Sequence, residues 1–350
     1  MERVLNIDGR LVGDGHPAYC IAELSANHNQ DLDQAKGLIK AAKEAGADAV
    51  KIQTYTPDTI TIDCRAPEFM IDQGSLWEKR YLYDLYKEAY TPWEWQPELK
   101  RYADEIGITL FSSPFDSTAV DLLEKMGVPV YKIASFELVD IPLIKKVAGT
   151  GKPIIMSTGM ATLEEIDEAV AAVRDLGNDQ LCLLKCLSAY PSPVDRMNLR
   201  GMETLCQRYE CPVGVSDHTL GTLVPTVAVA LGASLIEKHF TLSRSIKGPD
   251  SAFSLEPQEF KEMVQGVRSI ESSLGNGVIA PSPEEDSSRK LRRSLFVVRD
   301  MHAGETFTPE NVRSIRPGHG LHTRHWEEVL DRKASRPLSK GMPLRWDMVE

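Results

Sequence analysis

The 350-residue sequence lacks several features that would place it in large classes of protein. No apolar run approaches the roughly 18 residues that a membrane-spanning helix requires, and the first 20 residues show no basic-then-apolar signal pattern. Acidic residues outnumber basic residues, with 51 Asp and Glu against 40 Lys and Arg. We therefore expect a soluble, cytoplasmic protein with no membrane or nucleic-acid partner, which binds any anion at a locally built site.

Cysteine and glycine motifs are missing as well. No C-x-x-C pair occurs, and the six cysteines lie mostly in apolar runs, so reduced buried thiols are favoured over disulfides or a zinc site. These are Cys20, Cys64, Cys182, Cys186, Cys206 and Cys211. No G-x-G-x-x-G turn follows the first strand-like segment, which argues against a doubly wound dinucleotide-binding fold.

The chain does contain a regular alternation of short, β-branched apolar runs with helix-like segments. The apolar runs lie at residues 19–24, 48–54, 108–113, 129–135, 153–158, 181–187, 212–217 and 234–240. The segments between them have helical periodicity and capping signals, such as Asp31 and Thr162 at N-cap positions. Eight strand–helix units predict an α/β protein built on a (β/α)8, or TIM, barrel.

Three other segments shape the predicted domain organisation. The Asp8-Gly9 pair predicts a β-hairpin before the barrel, and residues 55–91 form a long insertion after the second strand that is a candidate lid. Residues 303–312 and 340–349 form a weak repeat. We expect a TIM-barrel catalytic domain over residues 1–271, a linker over 272–289 and a small β-rich domain over 290–350.

Polar residues stand at the carboxyl end of every predicted barrel strand, where barrels of this kind hold their active sites. Residues two apart share a strand face, so Lys51 and Gln53 point together, as do Glu237 and His239. A lysine inside a packed barrel is costly unless it is paired or holds an anion. Lys51, Lys132 and several strand-end serines therefore predict a phosphate or carboxylate pocket.

Two histidines, His218 and His239, end adjacent predicted strands. Because neighbouring strands lie about 4.8 Å apart, both rings can reach one ion. Imidazole suits a borderline divalent cation and leaves positions open for substrate and water. The alternative is imine chemistry at Lys51 or Lys132, as in lysine-dependent aldolases. The histidine pair argues against it, since an imine mechanism needs no metal.

A series of motifs covers nearly the whole chain in order: IAELSANHN, DAVKIQTY, FSSPFD, YKIASFE, MSTGMAT, AYPSP, GVSDHTLG, EKHFT, GPDSAFSLEP and SIRPGHG. Together they resemble the sialic acid synthase family, whose members condense phosphoenolpyruvate with an amino sugar to form nonulosonic acids. The terminal domain resembles the family's antifreeze-like (SAF) domain. This resemblance implies a homodimer with a swapped terminal domain, which covers the barrel mouth of the partner subunit.

The resemblance also implies roles for residues, position by position. His218 and His239 match ligands of a divalent ion, manganese first, with magnesium or cobalt as alternatives. The phosphoenolpyruvate contacts match Lys51, Ser113, Lys132, Ser135, Ser157 and Ser216. Positions facing the sugar match Glu23, Gln53, Tyr190 and Asp250, and Arg316 matches an arginine donated across the dimer. Glu137 matches a catalytic carboxylate and is the first choice for activating water, with Glu23 as its competitor.

Several motifs are similar to the pseudaminic-acid-forming branch of the family, and Ser188 stands where neuraminate-forming members commonly have asparagine. The sugar of that branch is a 6-deoxy, 2,4-diacetamido hexose, and we expect Phe136 and Phe253 to supply apolar surface for its methyl group. Synthesis of N-acetylneuraminate or legionaminate by the same mechanism is the nearest alternative. A non-catalytic carbohydrate-binding or ice-binding scaffold, suggested only by the terminal domain, is the most distant one.

Overall fold

The computed structural model describes residues 3–72 and 76–350. The chain divides into two compact units, one ending at Gly275 and the other comprising Asn276–Glu350. The first unit begins with an antiparallel hairpin of strands β1 (Val4–Ile7) and β2 (Arg10–Gly13). Asp8 and Gly9 form its turn with φ angles of 53° and 82°, so the predicted hairpin is present.

This hairpin packs against the amino-terminal ends of the barrel strands. Its buried apolar side chains belong to the same hydrophobic core as the barrel: Leu5, Ile7 and Val12. Asp8 accepts a hydrogen bond of 3.0 Å from the Thr109 hydroxyl, and the Arg10 guanidinium lies 5.0 Å from the ring centroid of Tyr19. Because Thr109 and Tyr19 each begin a barrel strand, the hairpin covers this end of the barrel.

Eight parallel strands close into a barrel in chain order, with the last strand paired to the first. They are β3 (Tyr19–Glu23), β4 (Ala49–Thr54), β5 (Thr109–Pro114), β6 (Tyr131–Ile133), β7 (Ile154–Ser157), β8 (Leu181–Cys186), β9 (Val213–Asp217) and β10 (Leu235–His239). Nearly all their residues are buried, as expected for parallel strands that helices cover. The predicted (β/α)8 barrel is confirmed.

The helices of this unit lie between and after the strands. They are α1 (Leu32–Glu44), α2 (Pro57–Ile60), α3 (Leu82–Ala89), α4 (Gln96–Ile106), α5 (Ser117–Met126), α6 (Ile141–Ala148), α7 (Leu163–Arg174), α8 (Gly201–Tyr209), α9 (Leu223–Ala230) and α10 (Pro257–Leu274). Asp31 caps α1 by accepting from the backbone N–H of Gln34, and Thr162 and Glu165 form a capping box at α7. Within the described residues, no helix is both long and apolar enough to cross a membrane.

The insertion predicted over residues 55–91 contains α2, a 3-10 turn at Pro67–Phe69 and α3. An isolated bridge pairs Met70 with Tyr81. Residues 73–75 of this predicted lid lie outside the described residues.

The segment predicted as a linker, residues 272–289, contains regular structure at both ends. Helix α10 continues to Leu274, where the hydroxyls of Ser272 and Ser273 donate to carbonyls of their own helix, and Gly275, with a φ of 61°, follows its end. A 3-10 turn at Pro283–Glu285 and the short helix α11 (Asp286–Arg289) precede the terminal strands. The serine-rich composition was therefore a poor guide to where helix α10 ends.

The second unit contains the antiparallel strands β11 (Ser294–Val297) and β12 (Val312–Ile315) and the short helix α12 (Trp326–Val329). Its own hydrophobic core includes Leu295, Phe307 and Leu344. Gly304 and Gly341, which the sequence repeat aligns, both have left-handed backbones with φ of 77° and 92°. The two repeat segments therefore share a turn that glycine favours.

Gly214 in β9 has no room for a larger side chain. A β-carbon there would lie 2.2 Å from the carbonyl oxygen of Leu235 in β10 and 2.8 Å from the Leu184 side chain. We expect Gly214→Ala to lower the free energy of unfolding by about 1–3 kcal/mol or more, because β10 cannot move aside without disturbing the barrel. Urea denaturation measures the change.

Gly37→Ala in α1 is the matched control. A β-carbon at Gly37 meets only the Leu242 side chain at 3.6 Å, an ordinary contact. Alanine in a helix is favoured over glycine by about 0.5–1 kcal/mol, so this variant should equal or exceed the wild type. A Gly214→Ala variant as stable as Gly37→Ala would contradict the close approach of β9 and β10.

Candidate active site

Lys51 is the centre of a charged network at the carboxyl ends of the barrel strands. Its ammonium lies 3.0 Å from Oε2 of Glu23 and 3.4 Å from Oε2 of Glu237, and it donates a hydrogen bond of 3.3 Å to Oγ of Ser113. The four side chains come from β3, β4, β5 and β10 and are buried. Barrel closure therefore brings together groups that are far apart in the sequence.

Lys132 in β6 extends this network. Its ammonium donates hydrogen bonds to Oγ of Ser157 at 2.7 Å and to the carbonyl of Ile133 at 2.9 Å, and it lies 3.9 Å from Oε1 of Glu237. The same glutamate oxygen accepts a hydrogen bond of 2.9 Å from Ser216. Glu237 thus links both lysines, and most of the residues predicted to bind an anion lie around one buried carboxylate.

Burial and charge act in opposite directions on these groups. Burial raises the pKa of Glu23, and the nearby Lys51 only partly offsets it. Burial lowers the pKa of Lys51, but the attraction of Glu23 and Glu237 outweighs it and the net shift is upward. At Lys132 burial dominates and lowers the pKa. Two lysines face two carboxylates, so an anionic substrate must replace a carboxylate as the lysines' partner or arrive with a cation or proton.

A second network joins Glu23 to the residues predicted to face the sugar. Nε2 of Gln53 donates to Oε1 of Glu23 at 3.1 Å and to Oγ of Ser25 at 3.0 Å. The Ser25 hydroxyl in turn donates to Oδ2 of Asp250, a carboxyl whose pKa is raised by burial. Gln53 and Asp250 therefore share one hydroxyl group.

His218 directly follows β9 and His239 ends β10, and their ring centroids are 5.3 Å apart. Nδ1 of His218 lies 3.1 Å from the carbonyl oxygen of Leu187, so a proton donated there leaves the lone pair of Nε2 free. Nδ1 of His239 is buried without a hydrogen-bond partner among the described residues. Burial lowers the pKa of His239 well below its usual value, which keeps this imidazole neutral.

This arrangement fits a divalent cation held by two imidazoles. Metal ligands must be unprotonated, and burial favours the neutral form of His239. At His218 burial lowers the pKa, but the hydrogen bond and charge of Cys186 outweigh it and the net shift is upward, so a cation would compete with a proton for this ring. No cluster of three or more His, Cys, Asp or Glu side chains suited to a metal occurs in residues 3–72 and 76–350.

Aromatic rings surround the two histidines. The ring centroid of Tyr190 lies 4.4 Å from that of His218, and the centroid of Phe253 lies 4.8 Å from that of His239. Trp77, from the insertion after β4, lies 5.5 Å from Tyr190 and donates its indole N–H to the carbonyl of Pro249 at 3.0 Å. The insertion thus contributes a side chain to the wall of the site.

Glu137 lies on the 3-10 helix Ser135–Val139 after β6. Burial raises its pKa to about 7, and its Oε2 is buried with no hydrogen-bond partner among the residues described. On the same turn, Oγ of Ser135 accepts a hydrogen bond of 3.1 Å from the backbone N–H of Gly159. A carboxyl that titrates near neutral pH is suited to general acid–base work.

Two predicted site residues make no contact with these networks that the structure describes within their own units. Phe136 is 61% exposed, because the 3-10 helix turns Leu138 into the core and Phe136 outward. Only Phe253 of the two predicted phenylalanines therefore packs against the histidines. Arg316 follows β12 in the second unit and is exposed there.

Sequence reasoning gave no role to three side chains that the structure brings into the site. Glu237 had a signal, since it lies two residues before His239 on the same strand face. Ser25 had none, because it follows β3 in a left-handed turn with φ of 43°. Cys186, one of six free cysteines, lies 3.9 Å from Nδ1 of His218. Burial raises the pKa of this thiol, but the hydrogen bond and charge of His218, with smaller contributions from Ser135 and Lys132, together lower it to about 7.

A closed parallel barrel with buried lysines and two imidazoles at the carboxyl ends of its strands has the features of barrel enzymes that act on an anionic substrate. Comparison with known proteins names the family. Residues 38–279 match the NeuB family and residues 292–350 match the SAF domain. The chain belongs to the NeuB family, whose members include the sialic acid synthases that its motifs resemble.

Its relatives include synthases of several nonulosonic acids. The chain is 47% identical to the pseudaminic acid synthase of Helicobacter pylori, over 95% of this chain and 98% of the relative. It is 39% identical to the N,N'-diacetyllegionaminic acid synthase of Legionella pneumophila, over 97% and 96%. Among solved structures, the N-acetylneuraminic acid synthetase of Leptospira borgpetersenii matches with a TM-score of 0.73 and 32% identity, over 82% of this chain and 95% of that chain.

Removal of the Lys51 charge should destabilise the folded protein. Lys51→Met leaves Glu23 and Glu237 buried without their shared cation, and we expect it to lower the free energy of unfolding at neutral pH by about 3–5 kcal/mol. Adding Glu23→Gln should recover part of this loss, because it removes one of the two carboxylate charges. Urea denaturation of both variants measures the effect.

Lys40→Met is the control for the loss of a lysine as such. Lys40 and Glu44 form an exposed pair on α1 at 3.9 Å, whose removal should change stability by about 0.5 kcal/mol or less. If Lys51→Met lowered the free energy of unfolding no more than Lys40→Met does, the buried carboxylates would not need the charge of Lys51.

Proposed function

We propose that this chain is a pseudaminic acid synthase. It would condense phosphoenolpyruvate with 2,4-diacetamido-2,4,6-trideoxy-L-altrose and water, forming a carbon–carbon bond and releasing phosphate. The observation that carries the reaction is that Glu237, which pairs with Lys51 and Lys132, lies on the same strand face as His239, whose ring contacts His218. The choice of sugar is supported by the relatives, since identity is higher to a pseudaminic acid synthase than to a legionaminic acid synthase.

The lysine pocket would hold phosphoenolpyruvate. Lys51 and Lys132 supply buried positive charge, and the substrate's phosphate and carboxylate would replace Glu237 as their partner. The hydroxyls around them would complete the contacts, from Ser113, Ser135, Ser157 and Ser216. Gln53, Asp250 and Tyr190 would hold the sugar beside it, with the aldehyde carbon toward the histidines.

Bond formation follows from this placement. C3 of phosphoenolpyruvate would attack the aldehyde carbon of the open-chain sugar, which leaves positive charge at C2 of the enolpyruvyl unit. Water would then add to C2, and phosphate would leave with cleavage of its C–O bond. A divalent cation on His218 and His239, manganese in our proposal, would polarise the aldehyde as a Lewis acid.

Glu137 is proposed as the group that takes the proton of the attacking water. Its carboxyl is buried, and its pKa of about 7 lets it accept a proton near neutral pH. Glu23 is the alternative base, but Lys51 and Gln53 already occupy its oxygens. Glu23 would instead hold Gln53 in place against the sugar.

The 6-deoxy methyl of the sugar would lie against apolar surface. Phe253 packs on His239 and Tyr190 and is the residue that offers this surface. Ser188 is too short to reproduce the amide contact expected of asparagine in neuraminate-forming relatives. Phe136 is exposed in the single chain, so it would offer apolar surface to the sugar only in an assembly in which another protein surface covers it.

The assembly proposed for the family applies here as well. In a homodimer with a swapped terminal domain, Arg316 of one subunit would enter the partner's barrel mouth, and its exposure in the single chain is consistent with such a role. The protein would work in the cytoplasm, where phosphoenolpyruvate is formed.

A sugar panel tests the proposed function. The protein is incubated with phosphoenolpyruvate, Mn²⁺ and either the pseudaminate precursor, the legionaminate precursor or N-acetylmannosamine, and phosphate release is measured. We expect the highest kcat/KM with the pseudaminate precursor, loss of activity with EDTA and no trapping by borohydride. The control is His218→Ala, which should abolish release with every sugar.

Two outcomes would overturn this proposal. A preference for N-acetylmannosamine or for the legionaminate precursor would assign the chain to another branch of the family. EDTA-resistant activity with borohydride trapping on Lys132, whose lowered pKa favours a free amine, would instead indicate an imine mechanism.

The pH dependence of kcat/KM tests the role of Glu137. A base works only when deprotonated, so the rate should fall as pH drops through about 7, the raised pKa of this carboxyl. Glu137→Gln should lower kcat by about 100-fold or more and remove that acidic limb. Glu68→Gln, on the insertion surface, serves as the control. An acidic limb that persists in Glu137→Gln would point to Glu23.

A further inference from the structure

A fully buried ion pair lies outside the pocket, on the strands that lead to the two histidines. Nζ of Lys238 lies 2.6 Å from Oδ2 of Asp217, and both side chains are 0% exposed. Lys238 alternates with Glu237 and His239 along β10, so it points away from the barrel interior. It therefore touches neither the lysine pocket nor the space between the imidazoles.

Stability alone is a weak reason for such a pair. Taking two charges out of water costs several kcal/mol per ion, and well-packed apolar side chains often do as well or better in the same place. Burial lowers the pKa of Lys238, and the attraction of Asp217 opposes this shift. Unlike an apolar contact, the ion pair fixes the orientation and the separation of two side chains on neighbouring strands, β9 and β10.

The ion pair lies directly before the two histidines in the sequence. Lys238 and Asp217 are the last paired positions of the β9–β10 ladder, and the residues that come next are His239 and His218. His239 still pairs with β3, at Glu23, but His218 lies beyond the end of its own strand. The backbone of His218 therefore has no ladder pairing with β10 to hold it opposite His239.

Thr219 constrains this backbone instead. Its backbone N–H donates to Oδ1 of Asp217 at 2.9 Å, its hydroxyl donates to Oδ2 at 3.1 Å, and its carbonyl accepts a hydrogen bond from Lys238. The residues before and after His218 are thus both tied to one ion pair. The carbonyl of His218 also accepts a hydrogen bond of 3.0 Å from Ser192 N–H, so the backbone is held at each of three successive residues.

We propose that Lys238, Asp217 and Thr219 form a clamp that holds the imidazole of His218 at metal-binding distance from that of His239. The three are positioning residues, since their side chains bond to one another and would act on the cation only through His218. This inference rests on the proposed metal site, and it predicts that cation affinity depends on a charge on the outer face of the barrel. Residues that orient metal ligands typically change affinity by about 10- to 100-fold when mutated.

Mn²⁺ binding without substrates tests the clamp. The dissociation constant is measured for the full-length protein from the electron paramagnetic resonance signal of free Mn²⁺, and each variant is checked by circular dichroism and thermal melting. We expect Lys238→Met to weaken binding about 10- to 100-fold. Lys146→Met, which breaks a partly exposed pair with Asp121 at 2.7 Å on the outer helices, should bind as the wild type does.

A double variant separates positioning from stability. Lys238→Met/Asp217→Leu replaces both charges with apolar groups, so it should melt closer to the wild type than Lys238→Met does. It should nevertheless keep the weakened Mn²⁺ binding. If it binds Mn²⁺ as the wild type does, the clamp is wrong. Should both variants fail to fold, Thr219→Val decides, with binding at least about threefold weaker expected and unchanged affinity contradicting the proposal.

His218→Ala distinguishes failure of the clamp from failure of the proposed site. Loss of Mn²⁺ binding in His218→Ala, together with wild-type affinity in the Lys238 variants, would overturn the clamp and leave the site standing. Unchanged Mn²⁺ binding in His218→Ala would overturn the metal site itself, and the clamp with it.

Discussion

The structure of the barrel mouth depends on the neutralisation of charge away from water. Lys51 and Lys132 are useful because they are buried, but a buried ammonium needs a partner of opposite charge within a few ångströms. Glu237 and Glu23 are these partners, and they come from the last and the first strands of the barrel. Closure of the barrel through the pairing of these two strands therefore also brings both carboxylates to Lys51.

The histidine pair depends on this arrangement in turn. Glu237 and His239 share one face of β10, so the residue that balances the lysines also fixes the spacing between the anion pocket and the imidazoles. A cation at the histidines would add positive charge to a network that is otherwise balanced. Anion and cation can thus bind together at lower electrostatic cost than either can alone.

Much of this could be predicted from the sequence because the signals are local and repeat. The alternation of apolar runs with helical segments specified the barrel, and the side-chain period of two along a strand placed Lys51 beside Gln53 and Glu237 beside His239. The contact between Lys238 and Asp217 had no such signal, because the pattern along one strand does not show which side chain of the neighbouring strand a lysine will meet. Trp77 lies in an insertion without periodicity, and its contact with Tyr190 depends on how that segment folds back.

The amino-terminal hairpin affects how substrates enter the barrel and how products leave it. With the apolar side chains of β1 and β2 packed into one end of the barrel, the route to the lysine pocket runs through the opposite opening. Under the proposed reaction, phosphate formed beside Lys132 has to leave past the residues that admitted both substrates. Departure of phosphate and entry of the next substrates would then both take place at the carboxyl-terminal end of the barrel.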